Sequence, residues 1–136
     1  MLVQHPHSVT IVAVEDGQVL VVVQPRPGAG GPTVELPAGC LEPGEAPREA
    51  AERELREECS LRAERWREIG SFWAAPSYAT EYVHVFEARG LHPQAGTPDD
   101  DEHIAVQRRA LAELPAALSD ATSIAAFALW ASSCAR

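Results

Sequence analysis

The sequence predicts a mixed α/β domain (α+β layered), in which a sheet and a few helices pack against each other. Runs rich in β-branched residues recur along the chain and are separated by segments with helical periodicity. Hydrophobic residues make up 46% of the chain and charged residues 23%, a composition that can bury a core. With 136 residues the chain has the length of one ordinary domain, so we expect residues 1–136 to form a single domain.

A β-hairpin is predicted at the start of the chain. Residues 9–14 and 18–24 are runs rich in β-branched residues, and the Asp16-Gly17 pair between them is a strong signal for a tight turn. The next segment, residues 25–32, is rich in proline and glycine, which suit neither a strand nor a helix. We therefore expect an exposed loop there, of the kind that often contacts ligands.

A helix is predicted over residues 47–59. Pro47 suits the first turn, and no glycine interrupts the segment. Ala51, Leu55 and Cys59 follow one another at i, i+4 and i+8, which places them on one apolar stripe. We interpret this stripe as facing the core, and Cys59 as a core residue rather than a nucleophile.

The second half of the chain carries further strands and helices. Strands are predicted at residues 67–73, 82–88 and 104–108. A short helix is expected around residues 110–118. Residues 119–122 then offer N-caps for a final apolar helix that reaches about residue 135.

Charge and composition exclude several classes of partner. A net charge of −9, with no local cluster of basic residues, opposes binding to a nucleic-acid backbone. The apolar stretches are too short to span a bilayer, and the N-terminus lacks a signal-peptide pattern. Three cysteines without C-x-x-C spacing indicate neither a disulfide framework nor a zinc site. We therefore expect a cytoplasmic protein with no nucleic-acid or membrane partner.

The most informative pattern is a set of charged residues in and around the predicted helix. It reads Gly39-x5-Glu45-x7-Arg53-Glu54-Leu55-x-Glu57-Glu58-x-Ser60-Leu61. On a helix, Glu54, Glu57 and Glu58 lie at i, i+3 and i+4, so three carboxylates project from one face and repel each other. Taken alone, such a face is typically a solvated acidic surface. The residues that flank it favour a metal site instead.

Gly39 and Arg53 provide that flanking context. Gly39 lies in a Leu-Pro-Ala-Gly turn where the backbone must come close to another group, and an exposed carbonyl there could join the carboxylates around a hard cation. Arg53 can hold Glu45 through a bidentate pair. Carboxylate oxygens suit Mg²⁺ or Mn²⁺, and such ions can bind a diphosphate and activate a water molecule.

This pattern resembles the box of the Nudix hydrolases, Gly-x5-Glu-x7-Arg-Glu-apolar-x-Glu-Glu-x-Gly-apolar. Ser60 is the one departure, because the family normally has glycine at that position, where the residue is expected to take a positive φ. Serine there should cost about 1 kcal/mol without touching a carboxylate, so we expect activity to survive. The resemblance implies a Nudix-type α/β/α sandwich with a mixed central sheet.

Further motifs are similar to the ADP-ribose pyrophosphatase subgroup of this family. They are Gln24-Pro25-Arg26, Glu35-Leu36-Pro37-Ala38-Gly39, Glu42-Pro43-Gly44-Glu45 and the segment 120–126. The subgroup is marked by a proline about sixteen residues past the end of the box, and Pro76 stands sixteen residues after Ser60. The resemblance implies hydrolysis of a nucleoside diphosphate linked to another moiety, with ADP-ribose giving AMP and ribose 5-phosphate.

The resemblance also implies roles for individual residues. The expected metal ligands are Glu54, Glu57, Glu58 and the carbonyl of Ala38, with Mg²⁺ as cofactor and Mn²⁺ as the alternative. The expected substrate-binding residues are Arg26, Gly39, Pro76 and Glu81. Glu57 and Arg53 are counted among the catalytic residues, and Glu45 gives structural support. A further acid is expected in a later loop as general base or metal ligand, with Glu102 as first choice and Asp100 as second.

Alternatives remain open for the substrate, the assembly and catalysis itself. The box also permits nucleoside triphosphates, dinucleoside polyphosphates, NADH, sugar nucleotides or coenzyme A. Phe72, Trp73 and Tyr78 could stack on an adenine, or could pack in a core or a dimer interface. The resemblance implies a homodimer, although we expect this chain to lack the N-terminal extension with which many members build one. A non-catalytic module that senses a nucleotide is also possible, because Ser60 replaces glycine and the N-terminal extension is expected to be missing. The intact set of Glu54, Glu57 and Glu58 argues against this alternative.

Overall fold

The computed structural model describes residues 1–96 and 104–134 of the chain. Within them, seven strands and two α-helices are present, and two short 3-10 turns lie at Pro27–Ala29 and Leu111–Glu113. In chain order the elements are β1 Ser8–Glu15, β2 Gln18–Arg26, β3 Gly31–Glu35, β4 Ala38–Cys40, α1 Pro47–Cys59, β5 Leu61–Trp73, β6 Tyr82–Pro93, β7 Ala105–Ala110 and α2 Ala121–Cys134.

The strands form a mixed sheet in the order β3-β2-β1-β6-β5, with β4 beside β1 and β7 beside β2. β1 and β6 pair in parallel, and the other pairs are antiparallel. The predicted mixed central sheet is therefore confirmed. The parallel pair lies at the centre, where strands buried on both faces are expected to be apolar throughout, as most of β1 is.

Two apolar clusters, one on each face of the sheet, form the core. Alternate residues of β1 point to opposite faces, so Val9 and Ile11 join the cluster under α1, whereas Val12 and Val14 join the cluster under α2. α1 contributes Ala50, Ala51 and Leu55, all fully buried, and α2 contributes Ala126, Phe127 and Trp130. The helices thus cover opposite faces of the sheet and give the expected α/β/α layers.

α1 has the predicted bounds, and its ends are set by local interactions. At the N-terminus, the side chain of Glu49 accepts a hydrogen bond from the Ala46 amide at 3.1 Å. At the C-terminus, Ser60 takes the left-handed conformation, with φ 54° and ψ 42°. The expected positive φ at this position is confirmed, and serine holds it in place of the family's glycine.

A buried carboxylate ties α2 to the sheet. Glu87 on β6 accepts a hydrogen bond from the Trp130 indole at 2.7 Å and forms ion pairs with Arg67 and Arg89, each at 3.2 Å. Burial alone would raise the pKa of Glu87, but these three donors outweigh burial and lower it to about 2. Glu87 is therefore ionised at neutral pH although its side chain is 9% exposed.

Three parts of the predicted secondary structure need correction. The exposed loop expected over residues 25–32 is shorter than predicted, because β2 runs to Arg26 and β3 begins at Gly31, with Pro25 opposite Pro32, which leaves residues 27–30 as the exposed connection. Proline cannot donate a backbone hydrogen bond to a neighbouring strand, but it is tolerated at a sheet edge. β3 is an edge strand of this sheet. The prediction of a helix around residues 110–118 is wrong, because only a 3-10 turn forms before Pro115. Proline has no amide N–H to donate to a helical hydrogen bond.

The strands expected at residues 67–73 and 82–88 are both longer than predicted. They extend to Leu61 and Pro93, which pair with each other at the far end of the β5–β6 ladder. Within the described residues, no helix is both long and apolar enough to cross a membrane.

Candidate functional site

Arg53 on α1 is the centre of a network of charged side chains. Its guanidinium binds Glu45 at two positions, at 2.9 and 3.0 Å, and also donates to Glu54 at 2.8 Å, to Glu57 at 3.2 Å and to the Cys40 carbonyl at 2.9 Å. The bidentate pair predicted between Arg53 and Glu45 is confirmed. Glu45, and after it Glu54, raise the pKa of Arg53 above its ordinary value, so its positive charge is permanent.

This network joins three segments that are separate in sequence. β4 contributes a carbonyl, the segment before α1 contributes Glu45, and α1 contributes Arg53 and its neighbours. Glu58 extends the connection, because it accepts a hydrogen bond from the Ala38 amide at 3.2 Å. The glutamate face of α1 is therefore held against β4.

Gly39 is the middle residue of β4 and lies against α1; residues 36–39, which connect β3 to this point, are called the Gly39 turn below. A Cβ at this position would lie 2.6 Å from Oε2 of Glu54 and still closer to the carboxyl carbon and Oε1. The close backbone approach predicted for Gly39 is therefore confirmed, and its partner is a carboxylate of the charged motif. Glycine is needed here for space, since its φ lies outside the left-handed region.

The electrostatics of Glu54 suit a nearby cation. Burial raises the pKa of Glu54, and the charge of Glu57 adds to the shift, while Arg53 opposes it. When burial opposes the ionisation of a carboxylate, a nearby positive charge stabilises its ionised form. All the expected ligands on α1 are carboxylate oxygens, which is the donor type that hard divalent cations prefer.

The glutamates nevertheless do not form a closed cation cage in this conformation. Within the described parts of the chain, no three side chains of His, Cys, Asp or Glu converge as a set that could hold a metal ion. Arg53 instead binds oxygens of Glu54 and Glu57, and the Ala38 amide binds Glu58. The donor chemistry fits a divalent cation, and the side chains are held together on one surface by protein contacts.

A cavity of about 370 Å³ opens beside the Gly39 turn. Of the four predicted substrate-binding residues, Arg26, Gly39 and Glu81 line it, whereas Pro76 is exposed in the turn between β5 and β6. Asp120 and Thr122, at the N-terminus of α2, also line the cavity. The Ser123 hydroxyl fixes that helix end by accepting a hydrogen bond from the Leu36 amide at 2.9 Å.

Arg26 has a protein partner that the sequence analysis did not identify. Its guanidinium binds Glu35 on β3 at 2.8 and 2.9 Å, and Thr33 donates a further hydrogen bond to the same carboxylate. Burial would raise the pKa of Glu35, but Arg26 and Thr33 outweigh it and hold the pKa below its usual range. The Arg26 side chain is still 50% exposed, so it can contact a ligand while paired.

Several predicted site residues lie outside this cluster or outside the described residues. Glu102 and Asp100, the choices for the further acid, belong to residues 97–103, which the structure does not describe. Trp73 and Tyr78 are more than half exposed, at 56% and 57%, and the Trp73 ring packs edge-on against Tyr82. Stacking of these rings on an adenine stays a prediction.

The sequence analysis also missed hydroxyl groups that line the cavity. Ser8 and Thr10 on β1 both face it, and Ser8 donates to Glu81 at 2.7 Å. A signal was present in the sequence, because these hydroxyl residues begin a strand that is otherwise apolar as far as Val14. Two buried polar residues in a central strand indicate a polar neighbour, which here is the cavity.

Comparison with known proteins places this architecture in a family. A model of the NUDIX domain matches residues 4–130. The chain is 40% identical over 108 residues to an ADP-ribose pyrophosphatase of Bacillus subtilis (strain 168), covering 77% of this chain and 58% of that protein. It is 37% identical over 106 residues to a methanol dehydrogenase activator of Bacillus methanolicus, covering 76% and 57%. The chain thus spans little more than half the length of these curated relatives.

The fold of this chain is similar to that of a solved structure from the same class of proteins. The crystal structure of an ADP compounds hydrolase superposes with a TM-score of 0.85 at 26% identity, covering 93% of this chain and 71% of that one. A NUDIX hydrolase from Nitrosomonas europaea shares the fold, with a TM-score of 0.77 at 20% identity. From the domain match, the relatives and the shared fold, we conclude that this chain belongs to the NUDIX family.

Proposed function

We propose that this protein is a metal-dependent pyrophosphohydrolase that cleaves the diphosphate of a nucleoside diphosphate linked to another moiety. The best candidate substrate is ADP-ribose, which would give AMP and ribose 5-phosphate. The observation that carries the proposal is the Arg53 network, which holds the glutamate face of α1 against the Gly39 turn beside a cavity. The names of the ADP-ribose pyrophosphatase and ADP compounds hydrolase relatives support this substrate class.

The proposed cofactor is a divalent cation, Mg²⁺ with Mn²⁺ as the alternative. Glu54, Glu57, Glu58 and the carbonyl of Ala38 would hold it. When bound, it would supply positive charge to the diphosphate oxygens and lower the pKa of a coordinated water. The chain's own residues provide the positioning, because Arg53 and Glu45 fix α1 relative to β4.

The substrate would be held across the Gly39 turn. Arg26 is half exposed and would contact the diphosphate or a sugar-linked oxygen while Glu35 keeps its guanidinium in place. Glu81 lines the same cavity. We keep Glu102, and after it Asp100, as the proposed general base or further metal ligand. Pro76 would act through the shape of the β5–β6 turn rather than by lining the cavity.

We also propose a cytoplasmic location, a homodimer and a small nucleotide as the binding partner. Free thiols at Cys40, Cys59 and Cys134 support a reducing compartment. A second candidate function is a non-catalytic module that binds a nucleotide and acts on another protein. The relative named as a methanol dehydrogenase activator favours this candidate, and Ser60 in place of glycine motivates it as well.

Turnover measurements with one variant and one matched control distinguish these functions. The wild type is assayed with Mg²⁺ on ADP-ribose, NADH, a nucleoside triphosphate, a dinucleoside polyphosphate and a sugar nucleotide. Glu58→Gln removes the negative charge of a proposed ligand, and Glu52→Gln changes a glutamate of the same helix that pairs with Arg48 at 3.0 Å on the exposed side. We expect preferred cleavage of ADP-ribose, lost in Glu58→Gln and kept in Glu52→Gln. Tight nucleotide binding without turnover of any compound would support the sensing module.

A further inference from the structure

Another cavity lies on the side of α1 that is turned away from the glutamate face. Its volume is about 260 Å³, and it is lined by residues of α1, of the first half of β5 and by one residue that follows β6. α1 contributes Arg48, Glu52 and Arg56, which follow one another at i, i+4 and i+8 and form one row along the helix. At about 100° per residue, this row lies opposite the glutamate face. The cavity is therefore separate from the proposed reaction site.

The cavity is positively charged, although the chain carries a net charge of −9. Arg48, Arg56 and Arg62 line it, and we call it the arginine cavity. Glu52 is the one acidic residue of its lining among the described residues, and it pairs with Arg48 at 3.0 Å. Within residues 1–96 and 104–134, Arg56 and Arg62 form no ion pair. An anion that enters the cavity would therefore meet two guanidinium groups whose charge no described carboxylate offsets.

The remaining wall of the arginine cavity is apolar and includes an aromatic ring. Leu61, Ala63 and Trp66 on β5 form this wall. The Trp66 ring packs against Phe86 on β6 at an angle of 76°, with the ring centroids 6.4 Å apart, so the neighbouring strand fixes the orientation of the indole. Trp66 is only partly buried, and it lines the cavity with part of its surface. An oriented, partly exposed indole can stack on a planar ring of a ligand.

A neighbouring cavity extends the arginine cavity past Trp66. Its volume is about 340 Å³, and it shares Trp66 and Arg48 with the arginine cavity. Pro47 and Phe86 give it apolar walls, and Glu68 would repel an anion there. A volume of 260 Å³ alone lies just below the usual range of ligand pockets, whereas the two adjoining cavities together lie within it. The pair suits a ligand with an anionic end and a planar, less polar end.

These features together select the chemical class of the ligand. Guanidinium groups bind phosphate oxygens through pairs of parallel hydrogen bonds, and their charge does not change with pH. An uncharged ring would leave the two arginines without an anionic partner, and a free anion without a ring would leave Trp66 without a stacking partner. A phosphate monoester joined to a planar ring system, as in a nucleoside monophosphate, provides both groups in one molecule.

We propose that Arg56, Arg62 and Trp66 form a second ligand site, in which the two arginines bind the phosphate of a nucleoside monophosphate and Trp66 stacks on its base. This site goes beyond the proposed function, because it lies across α1 from the residues that would hold the divalent cation and the diphosphate. It would let the protein bind a nucleotide at a place where no reaction is proposed.

The test measures binding without a divalent cation, so that neither turnover nor a metal-bound diphosphate contributes. The chain has three tryptophans, so the protein labelled with 5-fluorotryptophan should give three ¹⁹F resonances, and Trp66→Phe assigns one of them. The protein is titrated in EDTA with AMP, with adenosine and with inorganic phosphate. We expect AMP to shift the Trp66 resonance, with a Kd about 10-fold lower than that of phosphate because the base stacks on the indole. Adenosine should bind at least about 10-fold more weakly than AMP, since it has no phosphate.

Charge-removing variants test the arginines, and one neighbour gives a matched control. Arg62→Gln and Arg56→Gln should each raise the Kd of AMP at least about 10-fold, because each removes hydrogen bonds to a charged group. Arg65→Gln makes the same exchange on β5, but the Arg65 side chain is 68% exposed and does not line the cavity. This control should bind AMP as the wild type does. Thermal unfolding of each variant checks that the fold is kept.

Several results would each overturn the proposal. One is a Trp66 resonance that does not move with AMP at concentrations up to about 10 mM. Another is a Kd for AMP that both arginine variants leave unchanged. Equal affinity for AMP and adenosine would remove the role of the arginines, and equal affinity for AMP and phosphate would remove the role of the ring. A shift confined to Trp73, at the other end of β5, would place AMP elsewhere.

The proposed function is tested separately, by cleavage of ADP-ribose in the presence of Mg²⁺. AMP binding at Trp66 without any turnover of ADP-ribose would contradict the hydrolase and support the second site. Turnover of ADP-ribose without AMP binding at Trp66 would support the hydrolase and contradict the second site.

Discussion

Replacement of Gly39 by alanine tests whether the position of Glu54 controls activity. The new Cβ would lie 2.6 Å from one carboxylate oxygen of Glu54, and nearer to the other oxygen and the carboxyl carbon. Non-bonded carbon contacts lie at roughly 3.5–4.0 Å, so the carboxylate must move by about 1 Å or more. The backbone at Gly39 does not need glycine, since its φ lies outside the left-handed region.

The expected effects on stability and on activity differ in size. Movement of Glu54 breaks its 2.8 Å hydrogen bond with Arg53, but the guanidinium keeps its other four hydrogen bonds. We therefore expect Gly39→Ala to lower the free energy of unfolding by only about 1–2 kcal/mol. A misplacement of about 1 Å at a reaction centre can reduce the rate roughly 100-fold. We therefore expect a large loss of kcat/KM together with a small loss in the free energy of unfolding.

The assay measures kcat/KM for ADP-ribose with Mg²⁺, together with unfolding in urea. Gly28→Ala is the matched control, because a Cβ there meets no atom within 4 Å and the backbone has no positive φ. The control should keep wild-type activity and stability. If Gly39→Ala retained activity within about 3-fold of the wild type, the reasoning that links the Gly39 turn to the position of Glu54 would be refuted.

Other variants test the buried charges, the helix end and the metal. Glu87→Gln should lower the free energy of unfolding by up to about 3 kcal/mol at neutral pH, measured in urea. Because the folded pKa of Glu87, about 2, lies below the ordinary 4.5, this stabilisation is present above about pH 4.5 and is lost as the pH falls toward 2. Equal acid sensitivity of wild type and variant would contradict it. Arg53→Lys should abolish most activity, since an ammonium cannot bind Glu45 and Glu54 in the same geometry; unchanged kcat/KM would speak against the network. Ser60→Gly should raise the melting temperature by about 2–4 °C, and a lower value would argue against strain at φ 54°. Removal of divalent metal with EDTA should stop turnover and leave the circular dichroism spectrum unchanged, whereas activity that persists in EDTA would contradict the proposed cofactor.

The features predicted well from the sequence are those set by neighbours along the chain. The bounds of α1 follow from Pro47, helical periodicity and the positive φ at Ser60, all of which act within a few residues. The Arg53–Glu45 pair and the close approach at Gly39 follow from the spacing of one motif. Such signals depend little on the remainder of the fold.

The features that the sequence did not predict depend on segments that are far apart along the chain, or on the position of a strand at the edge of the sheet. The first half of β5 is rich in arginine and glutamate and has no apolar run, so it forms a strand because β6 lies beside it. β3 tolerates proline because it lies at the edge of the sheet. Thr10 and Asp120 are 110 positions apart in sequence and line the same cavity only because α2 packs on the sheet. Spacing along the chain carries no signal for this arrangement.

The hydrogen bond from the Ala38 amide to Glu58 has a use in spectroscopy. Its length of 3.2 Å leaves the amide proton sensitive to the state of the carboxylate that accepts it. In an ¹⁵N-labelled sample, the Ala38 cross-peak would therefore move when Glu58 gains a new partner. Titration with Mg²⁺ or with a nucleotide could then be followed at one backbone atom, without a dye, a tag or a chemical step.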